Sequence, residues 1–308
     1  MLLAPVLFFI ASSLKIVSGA DWCYQSEFTC SHACTGPEVW EHVSQHCGGR
    51  FQSPVNIVTK KNQLDERLTS FHFFGYQDTF HGRLLNNGHS VQLDLPSSMR
   101  IEEGSLSAQY KTLQLHLHWG KDGEPGSEHT IDGERFPMEM HIVHIKEEYN
   151  SLSEAARDRT GVAVLGFFFQ ESKSANKKFN PLINALKYIT QPNNSTTLRG
   201  VSLEMLMPHQ ENMTKYFRYS GSLTTPNCAE AVVWSLFENT IPLSRKQLTA
   251  FSQLRFPDGK PMVKTYRPLQ PMNGRQVYYS GGHVALVSTV LLIMSMLVSI
   301  ALCLHTTG

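Results

Sequence analysis

Residues 111–119 read KTLQLHLHW and residues 137–146 read PMEMHIVHIK. In both, side chains alternate with the two-residue period of a β-strand. Gln114, His116 and His118 therefore share one face, and Leu113, Leu115 and Leu117 turn to the other, core-facing one. In the second stretch Glu139, His141 and Val143 share a face and His144 takes the opposite one. The segment between them, GKDGEPGSEHTIDGERFP (residues 120–137), is full of turn formers and returns the chain antiparallel. His141 then faces the His116–His118 pair across the sheet.

Two histidines two residues apart on a strand stand about 7 Å apart at their Cα atoms. That separation suits two ligands of one metal ion. A third imidazole from the neighbouring strand completes the three-protein-ligand set of a catalytic zinc site, with the fourth tetrahedral position left for water. No fourth candidate lies on those two faces, so the pattern points away from a closed structural site. Gln114 and Glu139 each stand two residues before a ligand, on the ligand face, where a metal-bound imidazole needs a partner for its other ring N–H.

Further along the chain, short apolar runs such as VQLDLP (91–96), GVAVLGFFF (161–169), VSLEMLM (201–207) and EAVVWSLF (230–237) are punctuated by NNGH, KDGEPGS, IDGERFP and SGSLTTPN. Helical periodicity is sparse, with its best stretches at 152–159, 180–190 and 244–254. The expectation is an α+β, mainly β, single domain: a large, mostly antiparallel twisted sheet with a few short surface helices. Apolar residues make up 41% of the 308, enough for one sizeable core. The 27 basic and 26 acidic residues nearly cancel, which gives no reason to expect nucleic acid as a partner.

Both termini read as addresses. Residues 1–20 form an apolar run too short to span a bilayer and end in Ser18-Gly19-Ala20, the pattern of a cleaved signal peptide. Val284 to Leu304 is almost wholly apolar, is followed by no basic residue, and is preceded by Ser280-Gly281-Gly282. That arrangement fits a GPI-attachment signal over residues 279–308, with Ser280 or Gly281 as the attachment residue. The domain between is taken as 21–278. Secretion makes Asn193 or Asn194, and Asn212, candidate glycosylation sites. It also makes disulfides of the cysteines, and with Cys303 in the tail the other five leave an odd thiol over.

The segments QLHLHWG, GSEHTIDG, EMHIVH and Ser222-Leu223-Thr224-Thr225-Pro226, with QSPVNI (52–57) and LLNNGHSVQ (84–92), resemble the signature segments of the α-carbonic anhydrases, in that family's order. The resemblance covers roughly residues 22–270. Trp22-Cys23-Tyr24, Cys47 and Cys228 are similar to the secreted, GPI-anchored branch, types four and fifteen, and imply a Cys47–Cys228 bridge and a bridge from Cys23 to Cys34 or Cys30. The resemblance implies Zn²⁺ on His116, His118 and His141, and reversible hydration of carbon dioxide to bicarbonate by a zinc hydroxide. Thr224 and Glu128 would orient that nucleophile, and His89 would shuttle the proton through solvent ordered by Asn87. Val143, Val164, Leu223 and Trp234 would form the apolar wall that receives carbon dioxide, with Thr225 in the outer pocket. The implied setting is the outer face of the plasma membrane, held by a GPI anchor, where a bicarbonate transporter would be a natural partner.

Overall fold

The computed structural model describes residues 22–24 and 34–281. The leader, Cys30 and the apolar tail lie outside the described residues. Among the described residues no helix is long and apolar enough to cross a membrane.

Twelve strands form one sheet: β1 (Gln63–Leu64), β2 (Phe71–Phe74), β3 (Phe80–Asn86), β4 (Val91–Asp94), β5 (Arg100–Glu103), β6 (Tyr110–Trp119), β7 (Met138–Lys146), β8 (Val162–Ser172), β9 (Ser195–Val201), β10 (Tyr216–Gly221), β11 (Val232–Ser244) and β12 (Tyr278–Tyr279). Their order is β9-β3-β4-β6-β7-β8-β11-β10-β12-β1, with β5 joining β6 to β2. Only β8–β11 and β12–β1 run parallel. The expected mostly antiparallel sheet is therefore present. A smaller sheet pairs Asn56–Ile57 with Thr130–Ile131 and Glu134–Arg135, inside the long turn before β7.

The two faces of the sheet build two cores, as strand alternation requires. Leu115, Leu117, Met140, Ile142, Leu165 and Phe167 pack on one side. Val143, Val164, Phe168, Trp234 and Leu236 pack on the other, the face that carries the three histidines. Leu113 departs from the expectation. A bulge lies where Val143 pairs Gln114 but His144 pairs Thr112, so Leu113 has no partner in the ladder. The extra residue reverses the parity locally. Leu113 packs with the Val143 cluster, and Thr112 takes the buried place.

The helices are shorter than the periodicity suggested. The 152–159 stretch is helical only over Leu152–Ala155, capped by the Ser151 side chain accepting from Glu154 N–H. The other two stretches are α-helical over Asn180–Ala185 and Arg245–Thr249, each continuing as a 3₁₀ turn, Leu186–Tyr188 and Ala250–Gln253. The run VSLEMLM is not a strand: β9 ends at Val201 and Leu203–Leu206 is helical. A short apolar run cannot be told from a buried helical turn by periodicity alone.

Both disulfides form, Cys23–Cys34 and Cys47–Cys228. The second closes a sequence separation of 181 residues. In the chain-entropy picture a loop of that size stabilises the fold by about 5 kcal/mol. The double variant Cys47→Ser/Cys228→Ser should therefore lose about 3–5 kcal/mol in urea unfolding. A loss under about 1 kcal/mol would show that other contacts already hold this loop.

His144, on the face opposite the ligands, gives the fold a pH dependence. It is fully buried, with Nε2 2.5 Å from the Tyr76 hydroxyl and Nδ1 3.2 Å from Ala163 O. A neutral ring, donating at Nδ1 to the Ala163 carbonyl and accepting at Nε2 from the Tyr76 hydroxyl, satisfies both. Burial lowers its pKa to about 4. The folded value lies below the unfolded one near 6.5, so the unfolded chain binds the proton first on acidification. Stability is whole above about pH 6.5 and falls between there and pH 4, by about 3 kcal/mol in all. Urea midpoints of the wild type should show this slope, and His144→Gln should flatten it. An equal slope in both proteins would assign the acid loss to other groups.

Candidate metal centre

The ligand strands bring their side chains together through register. His141 pairs with His116, Glu139 with His118, and Val143 with Gln114. One nitrogen from each of His116, His118 and His141 lies within 4.8 Å of the others. All three sit at the floor of a cleft of about 340 Å³ or just beneath it.

Each imidazole is oriented by a hydrogen bond at its outer nitrogen. His116 Nδ1 donates to Gln114 Oε1 at 2.9 Å, and His141 Nε2 to Glu139 Oε1 at 2.7 Å. His118 Nδ1 donates to the backbone carbonyl of Thr265 at 2.6 Å. Burial, reinforced by the two neighbouring rings, holds His116 well below the ordinary imidazole range. Burial also lowers His118, against the opposing pull of Glu128. Burial thus keeps His116 and His118 neutral, and with the outer nitrogen of each ring donating, the inner atoms His116 Nε2, His118 Nε2 and His141 Nδ1 are left to present lone pairs.

That arrangement calls for a cation. His116 Nε2 and His141 Nδ1 are 3.2 Å apart, and with both outer nitrogens donating, a proton could lie between them only if one ring were charged. His118 Nε2 is buried with no hydrogen-bond partner among the described residues. Two nitrogens at about 2.0–2.1 Å from one tetrahedral zinc stand about 3.3 Å apart. The observed spacing matches that edge, and the donor set fits zinc.

His129, Glu139 and His141 form a second cluster of ligand-type atoms. It is closed by hydrogen bonds. Glu139 accepts from His129 N–H at 2.8 Å, His129 Nδ1 at 2.7 Å and His141 Nε2. Burial alone would raise its carboxyl, but His129 and His141 outweigh that and hold it well below the usual range. His129 Nε2 then accepts from the Tyr219 hydroxyl at 2.6 Å, which in turn accepts from Ser53 Oγ at 2.8 Å. Ser53 Oγ accepts from Ser222 N–H at 3.0 Å, at the start of the Thr224 loop. The sequence reading assigned no role to His129, although it stands beside Glu128 in a quoted segment. Its signal is the need of a buried Glu139 for more than one donor.

The cleft above the imidazoles is lined by Gln114, His116, His141, Val143, Val164, Leu223, Thr224, Thr225 and Trp234, and also by Leu152, Ser153, Ala156, Pro226 and Asn227. Register explains the apolar wall: Gln114, Val143, Val164 and Trp234 are successive partners in one row across four strands. Glu128 is wholly buried, with Oε1 accepting from Arg267 N–H at 2.9 Å. Its Oε2 has no hydrogen-bond partner among the described residues and lies 3.5 Å from His118 Nε2.

Two expected residues lie apart from this group. Neither His89 nor Asn87 lines the cleft. The His89 ring is stacked on Trp22, with centroids 3.7 Å apart and planes at 14°. Asn87 Oδ1 accepts from the His89 and Ser90 N–H groups and so shapes the turn. Gly88 in that turn has φ +92°, which favours glycine. At the carboxyl end, Ser280 is 1% exposed, with N–H donating to Tyr216 O and Oγ to Thr214 O. Asn193, Asn194 and Asn212 are all exposed.

Three imidazoles on adjacent strands, at the foot of a half-apolar cleft with one open side, define a mononuclear zinc enzyme of the catalytic type. A model of the eukaryotic-type carbonic anhydrases matches residues 35–281. Carbonic anhydrase 4 of Oryctolagus cuniculus is 42% identical over 274 residues, 87% of each chain. Carbonic anhydrase 15 of Mus musculus is 36% identical over 283 residues, 87% of this chain and 86% of that one. Carbonic anhydrase 12 of Homo sapiens is 34% identical over 301 residues, 94% and 82%. The chain belongs to the eukaryotic-type carbonic anhydrase family. Its cofactor is zinc, and its reaction is the hydration of carbon dioxide to bicarbonate.

Proposed function

We propose that the chain hydrates carbon dioxide reversibly at the outer cell surface, with His116, His118 and His141 holding the zinc. Thr224 and Glu128 orient the attacking oxygen, and His89 exports the proton. The observation that carries the reading is the pair of acceptor nitrogens 3.2 Å apart, together with the unpartnered His118 Nε2. Bound there, zinc supplies a Lewis acid that brings the pKa of water to about 7, the value general to carbonic anhydrases.

The rest belongs to the chain's own groups. Glu128 Oε2, buried and without a partner among the described residues, is an acceptor in need of a donor. A Thr224 hydroxyl that donates to it has its lone pairs left to accept from the attacking oxygen, which aims that oxygen at substrate. Val143, Val164, Leu223 and Trp234 offer an uncharged gas an apolar surface and offer bicarbonate none, which favours release of the anion. Thr225 stands on the same cleft wall; Asn87, outside the lining in the turn that carries His89, would order solvent on the way to that ring. In this reading the secreted fragment 21–280 is a soluble, active enzyme, because each of these groups lies within it. Stopped-flow hydration by that fragment tests it. A folded, zinc-loaded fragment without turnover would sink it.

The location rests on the leader and tail sequences and on two formed disulfides, which persist in an oxidising compartment. The attachment residue is Ser280 or Gly281. Because Ser280 is already built into the sheet edge, Gly281 is the better placed of the two. Phosphatidylinositol-specific phospholipase C should release the protein from cells. A mature protein that keeps its hydrophobic tail, shown by mass spectrometry, would mean a transmembrane helix instead.

A further inference from the structure

Arg267 carries a buried charge that the reaction as described does not use. Its side chain is 2% exposed. Its guanidinium donates to Gln52 Oε1 at 2.8 Å, Ser53 O at 3.0 Å and Cys47 O at 3.1 Å, and lies over the Trp40 ring at 5.4 Å. Taking a cation out of water costs several kcal/mol, so its retention in the interior calls for a reason.

The reason lies in what its segment touches. Residues 265–267 meet the site at two points: Thr265 O orients His118, and Arg267 N–H holds Glu128 Oε1. Neither contact uses a side chain of that segment, so both depend on where its backbone is placed. At one end the placement comes from Trp119, bonded to Thr265 Oγ1 and to Thr265 N–H. At the other it comes from the Arg267 guanidinium, with Gln270 N–H donating to Pro54 O at 2.8 Å three residues on. Gln52 passes the restraint on, since its Nε2 donates to Cys228 O at 3.2 Å, four residues beyond Thr224. Cys228 is itself bridged to Cys47, whose carbonyl Arg267 also takes.

We propose that Arg267 is a positioning residue of the zinc site, its guanidinium fixing the Thr265–Arg267 backbone that orients His118 and Glu128. The part concerning Glu128 rests on the function proposed above; the part concerning His118 rests on the zinc ligation alone. Arginine suits the place because its planar fork reaches several carbonyl-type oxygens at once, which a lysine cannot match.

The test compares Arg267→Met, Arg267→Lys and Gln52→Leu with the wild type, using the full secreted enzyme. It measures zinc dissociation into a chelator, the visible spectrum of the cobalt-substituted enzyme, and kcat and KM for carbon dioxide. Arg267→Met should release zinc about 10–100-fold faster, the range found for lost outer partners of metal ligands. Its cobalt spectrum should change shape, and kcat should fall with KM little altered. Arg267→Lys should recover part of each effect, and Gln52→Leu should show a smaller one in the same direction. If Arg267→Met does not fold, the other two variants decide. Zinc release and cobalt spectra equal to wild type, whatever the loss in melting temperature, would reduce Arg267 to a support of the fold. Glu128→Gln separates the two readings. Full kcat in that variant would remove Glu128 from the reaction while leaving the zinc-release result to judge Arg267.

Discussion

His118→Ala is expected to lose zinc and carbon dioxide hydration together, whereas Thr224→Ala keeps the zinc and loses the rate. His118 is buried, and its inner nitrogen has no partner among the described residues. Removing it leaves two imidazoles, too few to hold a tetrahedral ion tightly. Loss of an outer partner alone weakens metal binding 10–100-fold, so loss of a direct ligand should exceed about 100-fold. Thr224 touches no ligand nitrogen but lines the cleft above them. Its removal leaves zinc binding intact and costs about 10²–10³ in kcat, the usual effect of losing one preorganised polar group. Zinc content and stopped-flow rates of both variants check this. Equal zinc retention in the two would show that the ligand assignment is wrong.

The second large effect concerns His89. Water acidified to a pKa near 7 meets a barrier if it must give its proton straight to bulk water. Hydronium is more acidic by roughly 9 units, and at 1.36 kcal/mol each the step costs about 12 kcal/mol. The transition-state expression then caps turnover at roughly 10³–10⁴ s⁻¹. Fast carbonic anhydrases reach about 10⁶ s⁻¹, so they need a better-matched acceptor. Histidine, with an ordinary pKa near 6.5, is one. The structure places the His89 ring on Trp22, outside the cleft lining. An aromatic stack of this kind is worth about 1 kcal/mol, a population ratio near fivefold. That preference is small enough for the ring to visit the cleft and return to meet buffer. His89→Ala should therefore lower turnover about 100-fold in weak buffer, recover with added imidazole, and leave the exchange of carbon dioxide and bicarbonate at equilibrium nearly unchanged. Unchanged turnover in weak buffer would show that His89 is not the acceptor.

The ligand strands were legible because a half-buried strand writes its two faces into alternate residues. From that alternation came the shared face of His116 and His118, the place of His141 opposite them, and the outer partners Gln114 and Glu139. What escaped has physical reasons. The acceptor of His118 is the carbonyl of Thr265, a backbone atom that any residue could supply, so no side chain announces it. The bulge at Leu113 adds a residue without disturbing the hydrophobic pattern that precedes it. Leu203–Leu206 and the short helices carry too few turns for a 3.6-residue period to show. Arg267 is a single charge near the end of the domain, and nothing in its neighbours marks it as buried. Thr224 was legible only through resemblance, because within SLTTP it reads as an ordinary turn residue.

The central claim, that one zinc held by three histidines performs the hydration, is tested most directly by titration. Metal is stripped from the secreted fragment 21–280, zinc is returned in measured steps, and stopped-flow hydration is read at each. The account predicts a rate that rises in proportion to bound zinc and stops rising at about one ion per chain, the capacity of a single site with three protein ligands. A stripped enzyme that keeps its rate, or a rate that zinc does not restore, would contradict it.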